Sequence, residues 1–222
     1  MKRNVDINEI SDGRLYTSND MVKAGCDGCK GCSACCMGMG DTVVLDPLDI
    51  YRLATYLDVT FENLLSSKVD LGVVDGIILP HLNMSGVEEK CGFLDKDGRC
   101  SVHAARPGIC RLFPLGRIYE DGSFKYFLQV HECPKENKTK VKVKQWLGIP
   151  EIKDYEQFVC DWHYMLKGLE SILESADESL TKQISMYVLN EFYIKPYNED
   201  TSIYQQLDTR IKVACHTFGL QK

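Results

Sequence analysis

A chain of 222 residues with a formal charge of −6 and a pI near 5.4 is long enough to bury a hydrophobic core, and it lacks the basic balance of a dedicated nucleic-acid binder. No stretch reaches the roughly 18 consecutive apolar residues of a membrane span, and the amino terminus "MKRNVDINEISDGRLYTSND" has no apolar run of the kind a signal peptide needs. The expectation is therefore a cytoplasmic protein with neither nucleic acid nor membrane as partner. In that reducing compartment its eleven cysteines bind metal or do redox chemistry rather than form bridges.

Residues 1–25 read as an N-terminal lead. The stretch "CDGCKGCSACC", residues 26–36, then places five cysteines in eleven positions. In "DPLDIYRLATYLD", Asp46 suits an N-cap and Pro47 a first helical position, and Ile50, Leu53, Ala54 and Leu57 recur at helical spacing. A short helix is expected after Thr60. "VDLGVVDGIILPHL" reads as two strands about Asp75-Gly76, "FLDKDGRC" as a turn at Asp97-Gly98, and "RIYEDGSFKYFLQV" as two strands about Asp121-Gly122. The basic run "KENKTKVKVK", Lys135 to Lys144, reads as a solvated face.

Beyond residue 150 the period changes. Ile152, Tyr155, Val159, Trp162, Leu166, Leu169 and Leu173 make a stripe at three- and four-residue spacing, which predicts a helix over 151–174. Two further helices are predicted, one carrying Leu180, Ile184, Val188 and Phe192, the other Ile203, Leu207, Ile211, Ala214 and Phe218. Cys215 adjoins the last stripe and is expected to be an inert buried thiol. Cys160 and His163 share a helix face, which reads as an isolated thiol beside a surface imidazole more readily than as a ligand pair.

Each Cys-x2-Cys step lets a turn aim two thiolates at one centre, and here the step repeats through Cys26, Cys29, Cys32 and Cys35 before Cys36. Cys91 and Cys100 flank the Asp97-Gly98 turn, Cys110 follows Arg106-Pro107, and Cys133 precedes Pro134. Setting aside Cys26, Cys160 and Cys215 leaves eight metal-ligand candidates: Cys29, Cys32, Cys35, Cys36, Cys91, Cys100, Cys110 and Cys133. His103 and His131 are weaker alternatives. Thiolates suit both zinc and iron–sulfur clusters. The compressed run is unlike the paired knuckles of structural zinc sites. Cys26, Cys29, Cys32 and Cys36 instead follow the ferredoxin spacing, with Met37 where that pattern has proline. Iron–sulfur, 4Fe-4S in type, is favoured over zinc. Because neighbouring side chains diverge on a strand or helix, Cys35 and Cys36 are expected to serve two neighbouring centres unless the backbone turns sharply there.

"CKGCSACC" and "CGFLDKDGRCSVHAARPGICRLFPLG" together resemble the two motif blocks of the YkgJ-like CxxCxxCC cysteine-cluster family, the zinc- or iron-chelating domain, over about residues 26–135. The layout, with a helical tail after the cysteine blocks, is similar to members described as flagellin lysine N-methylases. That resemblance implies metal binding, and more narrowly an S-adenosylmethionine-dependent protein-lysine N-methyltransferase with flagellin as its protein substrate. Arg106 and Arg111 bracket Cys110 and match the second block, so they are expected either to touch the cofactor, as donors to sulfur or to a substrate carboxylate, or to serve as structural salt-bridge partners. The usual radical S-adenosylmethionine signature, Cys-x3-Cys-x2-Cys, does not occur, nor does a Gly-x-Gly-x-x-Gly or phosphate-loop motif, and no catalytic base is assignable.

The architecture expected is α+β, a cysteine-rich metal-centred domain of short helices and β-hairpins over 26–135, followed by a helical C-terminal segment over 136–222 packed on it. Two rival functions stand beside the methyltransferase. One is a zinc-stapled binding module whose helical tail is a partner surface, the other an electron-transfer iron–sulfur protein.

Overall fold

The structure, a computed structural model, describes residues 6–26 and 32–220. A single helical turn, α1 (Ile7–Ile10), leads into β1 (Ser11–Tyr16) and β2 (Met21–Gly25). Next come α2 (Pro47–Leu57) and α3 (Phe61–Leu65), the hairpin β3 (Val69–Val74) and β4 (Ile77–Leu82), and two short strands, β5 (Met84–Ser85) and β6 (Lys90–Cys91). The five-residue α4 (Gly108–Leu112) precedes β7 (Leu115–Glu120), β8 (Ser123–Gln129) and β9 (Thr139–Lys142). The rest is helical: α5 (Val143–Leu147), α6 (Ile152–Leu173), α7 (Glu178–Val188) running on into a π-helical stretch Leu189–Ile194, and α8 (Ile203–Thr217). The α+β architecture with a helical C-terminal part is thus present.

Local chemistry accounts for most of these boundaries. The Asp46 carboxylate accepts the Asp49 N–H (2.8 Å) while the Asp49 carboxylate accepts the Asp46 N–H (3.3 Å), a reciprocal cap that starts α2 with Pro47 in its first turn. Thr60 and Asn63 repeat the device at α3. At the β3–β4 turn Asp75 and Gly76 both take left-handed φ values (49° and 85°), and at the β7–β8 turn so do Asp121 and Gly122 (48° and 72°). Two left-handed residues give the turn a twist that matches the paired strands. The Asp97-Gly98 turn is different. It is closed by one bridge, Leu94 to Cys100, and by the Asp95 N–H to the Arg99 carbonyl (2.8 Å), so it supports a tight loop and not a pair of strands.

Local hairpins and two sequence-distant pairings, β1 with β8 and β2 with β9, make the small sheets. All are antiparallel, in the orders β1-β8-β7, β2-β9, β3-β4 and β5-β6. Residues 11–25, expected as a lead, therefore supply strands, and they bury Tyr16, Val22 and Ala24 in the core. The basic run after Lys135 includes β9, which pairs with β2.

One continuous hydrophobic cluster joins the cysteine-bearing half to the helices. The α6 stripe buries Tyr155, Phe158, Val159, Trp162, Met165 and Leu169. Trp162 meets Phe192 edge-on (centroids 4.9 Å apart) and Tyr193 (6.3 Å). Polar ties cross the same boundary: the Ile78 N–H donates to the buried Ser185 hydroxyl (3.3 Å), and the Tyr193 hydroxyl donates to the Leu45 carbonyl (2.9 Å). Cys160 directs its thiol to the Gly122 carbonyl (3.2 Å). His163 stacks on Tyr119 (3.6 Å between centroids) and is not a surface imidazole; burial pulls its pKa down to about 4. Cys215 packs against the same core. No helix among the described residues is long and apolar enough to cross a membrane.

Because Trp162 sits where α6 meets the π-helical stretch, Trp162→Ala removes a large side chain from a packed interior. The expected cost is about 3 to 5 kcal/mol of unfolding free energy, read as a lowered midpoint in urea denaturation. A wild-type midpoint would show that the stripe does not carry the interface.

Candidate metal centre

Three separate devices bring thiols together. Residues Ala34–Cys36 form a single 3₁₀ turn, closed by the Cys36 N–H to the Ser33 carbonyl (2.8 Å). Met37 bridges to Lys90 and the Gly38 N–H donates to the Glu89 carbonyl (3.1 Å), which lays this turn beside β6 and so beside Cys91. The tight loop closed by Leu94 and Cys100 then returns the chain, and the Ser101 N–H donates to the Phe93 carbonyl (2.9 Å). Cys110 arrives on α4.

The electrostatics show which thiols share a neighbourhood. Cys36 is influenced by Cys35, Cys110 and Cys91, Cys91 by Cys100 and Cys35, and Cys110 by Cys91, Cys35 and Cys100. Five thiols, those of Cys35, Cys36, Cys91, Cys100 and Cys110, therefore form one group. Cys35 and Cys36 do not diverge, because the 3₁₀ turn bends the backbone sharply between them. Cys36 donates its S–H to Cys35, which lowers the Cys35 pKa to about 7 with further help from Arg106, and raises that of Cys36. Burial raises Cys91, Cys100 and, most strongly, Cys110, where the Asp49 carboxylate adds to the effect. Against that, the Phe93 N–H donates to the Cys91 sulfur and the Val102 N–H to the Cys100 sulfur, each two residues on, and these donors favour the thiolate.

The other described candidates are placed by different contacts. Cys32 and Cys133 are half-buried, and neither ranks among the dominant influences on the five. Cys133 lies in the loop between β8 and β9, where Lys138 Nζ holds its carbonyl (3.0 Å). Cys29 lies outside the described residues. His131 is exposed, and His103 meets Arg106 Nη1 through Nε2 (3.1 Å).

The two arginines bracketing Cys110 have different work. Arg111 is occupied by the backbone, donating through Nε to the Arg106 carbonyl (3.0 Å) and through Nη2 to the Ala104 carbonyl, so it ties α4 to the turn before it. Arg106 acts on sulfur through its charge, which reaches Cys35 and Cys100, while its Nη1 meets His103 and its buried Nε has no hydrogen-bond partner among the described residues.

Behind Cys110 lies a buried polar network that the sequence reading passed over. Asp49, 2% exposed, accepts the Gly108 N–H at 2.7 Å. Burial and the neighbouring Asp49 push Asp46 up to about 8, and burial raises Asp49 as well. Arg117 Nη2 donates to the Tyr155 hydroxyl (2.6 Å), and Arg52 Nη2 to the Tyr204 hydroxyl (2.9 Å). The available signal was the "DPLD" capping box, read only as a helix start. On the solvent side, a cleft of about 440 Å³ opens beside Cys91, lined among others by Met37, Lys90, Leu94, Asp95 and Lys96.

An all-sulfur donor set, backbone N–H groups aimed at two of its sulfurs and an orphaned buried guanidinium nitrogen beside it fit a thiolate-bound metal group. Among the described residues, no three Cys, His, Asp or Glu side chains are gathered closely enough to hold a single metal ion. No curated protein and no solved structure matches the chain. The sequence model of the family described as "CxxCxxCC: Putative zinc- or iron-chelating domain" matches residues 28–144, just over half of it. That span holds all five gathered thiols together with Arg106 and Arg111, and the chain belongs to this family of zinc- or iron-chelating domains.

Proposed function

We propose that this chain is an iron–sulfur protein in which Cys91, Cys100, Cys110 and the Cys35–Cys36 turn hold a 4Fe-4S cluster. The observation that carries the reading is the gathering of five thiols in one electrostatic neighbourhood, more than one tetrahedral zinc uses, with backbone N–H donors to the sulfurs of Cys91 and Cys100. Hydrogen bonds to sulfur are among the features that tune an iron–sulfur cluster, and the Cys26, Cys29, Cys32, Cys36 spacing is that of ferredoxins.

Bound there, such a cluster supplies one-electron redox chemistry. The chain's own part is to present and stabilise sulfur anions. Cys35 ionises first, because Cys36 donates to it and Arg106 stands near. The thiols of Cys91, Cys100 and Cys110 are held protonated by burial, so loading releases their protons and weakens as pH falls. Arg106, whose buried Nε has no partner among the described residues, would donate to sulfur, while Arg111 keeps the 104–111 turn in shape.

The narrower proposal is the S-adenosylmethionine-dependent methylation of a flagellin lysine that the resemblance implies. The cleft beside Cys91 would serve it, with Met37 and Leu94 as apolar walls for an aliphatic side chain and Lys90, Asp95 and Lys96 on its polar side. Electron transfer alone needs no such cleft.

Three outcomes test these readings. Protein purified without oxygen is expected to be brown, with broad sulfur-to-iron charge-transfer absorption. Cys110→Ser is expected to lose that colour and Cys133→Ser to keep it. Colourless protein carrying stoichiometric zinc would overturn the iron reading, since zinc's filled d shell gives no such band. Arg106→Ala is expected to shift the reduction potential of the loaded protein at unchanged iron content, whereas Arg111→Ala lowers the iron content itself; identical behaviour of the two would remove the division of labour. Calorimetric titration of the loaded protein with S-adenosylmethionine is expected to show saturable binding, and a flat titration removes the methyl-transfer proposal while leaving the cluster.

A further inference from the structure

The family's matched residues end at 144, yet the side chain that fills the space over Gly108, at the start of the Cys110 helix, comes from α6. We propose that Tyr155 and Asp49 are positioning residues for Cys110: acting through Gly108, they fix the short helix that carries this thiol, so that the C-terminal helical layer sets the geometry of the metal centre. The proposal rests on the reading of Cys110 as a metal ligand.

A five-residue helix has no stability of its own, because nucleation is unfavourable and so few hydrogen bonds follow it. Outside groups must hold α4, and they do so at both ends. At its start the Gly108 N–H donates to the Asp49 carboxylate (2.7 Å). Past its end the indole N–H of Trp146 reaches the Leu112 (3.4 Å) and Phe113 (3.2 Å) carbonyls. Between them, Arg111 fastens the helix to the preceding turn.

Gly108 is the point where this clamp is tightest. Its φ is not in the left-handed region, so glycine is not required by the backbone; it is required by space. A Cβ there would run into the Tyr155 hydroxyl, and would lie 3.4 Å from Cζ of the same ring and 3.5 Å from Asp49 Oδ1. Tyr155 cannot yield. It is fully buried, its hydroxyl is held by Arg117 Nη2 (2.6 Å), and the guanidinium groups of Arg117 and Arg52 lie 5.4 Å and 5.9 Å from its ring centroid. Cys110 is two residues further along the same helix, so a displacement at Gly108 is passed directly to its sulfur.

The contact can be opened and closed again by substitution. Gly108→Ala puts a methyl group against the Tyr155 hydroxyl and is expected to weaken metal binding on the order of 10- to 100-fold in chelator competition, the range for groups that orient a ligand. It is also expected to shift the visible spectrum of what remains bound. Adding Tyr155→Phe removes the oxygen the methyl meets, leaves ordinary contact with the ring, and is expected to restore both. Asp49→Asn keeps an acceptor oxygen for the Gly108 N–H and is expected to hold the wild-type spectrum, while Asp49→Ala does not; this pair reads the same clamp if Gly108→Ala fails to fold. A lowered melting temperature with an unchanged spectrum per bound metal, or no recovery on adding Tyr155→Phe, would overturn the proposal. Alkylation of Cys110 in metal-free protein separates it from the metal reading: protection in wild type, exposure in Gly108→Ala and protection again in the double variant support the clamp even if the wild type binds no metal. Equal alkylation in all three would refute it.

Discussion

The hydrogen bond from the Gly108 N–H to the Asp49 carboxylate, 2.7 Å long and shut off from solvent, is the contact on which the arrangement around Cys110 depends. Asp49 belongs to the reciprocal cap of α2, so one carboxylate starts one helix and anchors another. Burying such a group is costly unless its lone pairs are satisfied, and leaving one acceptor without its donor costs on the order of 1 to 3 kcal/mol. The environment answers with two backbone N–H donors and with the charges of Arg52 and Arg117 nearby. Asp46, next to it, is driven up to about 8 by burial and by Asp49 itself, so near neutrality the pair need not carry two full negative charges.

That network faces the thiol group from behind, and the two have opposite electrostatic demands. Asp49 disfavours a thiolate at Cys110, whereas Arg106 favours one at Cys35 and Cys100. The centre is therefore graded, with its most ionisable sulfur, that of Cys35, in the 3₁₀ turn beside the reluctant Cys36, and a further reluctant one on α4. A metal group that neutralises thiolate charge removes the conflict, which is why a set of mostly protonated thiols in the unloaded chain is compatible with a strong site: the protons leave as the metal arrives.

Much of this was legible in the sequence where a single local rule decides the outcome. The stripe from Ile152 to Leu173 gave α6, Asp46 with Pro47 gave the start of α2, and the Asp-Gly pairs at 75–76 and 121–122 gave hairpins because both residues tolerate left-handed φ. What could not be read depends on partners far along the chain. β1 alternates poorly and becomes a strand only because β8 is there to pair with it, and β9 looked like a charged loop until β2 is set beside it. The convergence of Cys35 and Cys36 turns on one 3₁₀ turn that residue types do not specify. Arg106 and Arg111 looked equivalent, yet the carbonyls of Ala104 and Arg106 claim one guanidinium, while the charge of the other acts on Cys35 and Cys100. Tyr155 was seen only as part of an apolar stripe, because its hydroxyl acquires a role only against Gly108 and Arg117.

The placement of that hydroxyl also bears on what the helical tail is for. A tail that served as a docking surface would keep an apolar stripe in solvent, but Tyr155, Leu169, Ile184, Val188 and Leu207 are all fully buried in the chain's own core. The exposed apolar side chains of this region, Met186, Ile194 and Val213, lie on three separate elements, and singly exposed residues of this sort are normal on a protein surface. The apolar stripe of the tail is therefore committed inward, to the cluster that also contains Cys91 and the hairpins. Its polar contribution points the same way, since Ser185 reaches β4, Tyr193 the segment before α2, and Tyr155 the helix of Cys110. A layer tied to the cysteine-bearing half by hydrogen bonds at Ser185 and Tyr193 as well as by packing is continuous with the core against which Cys110 rests.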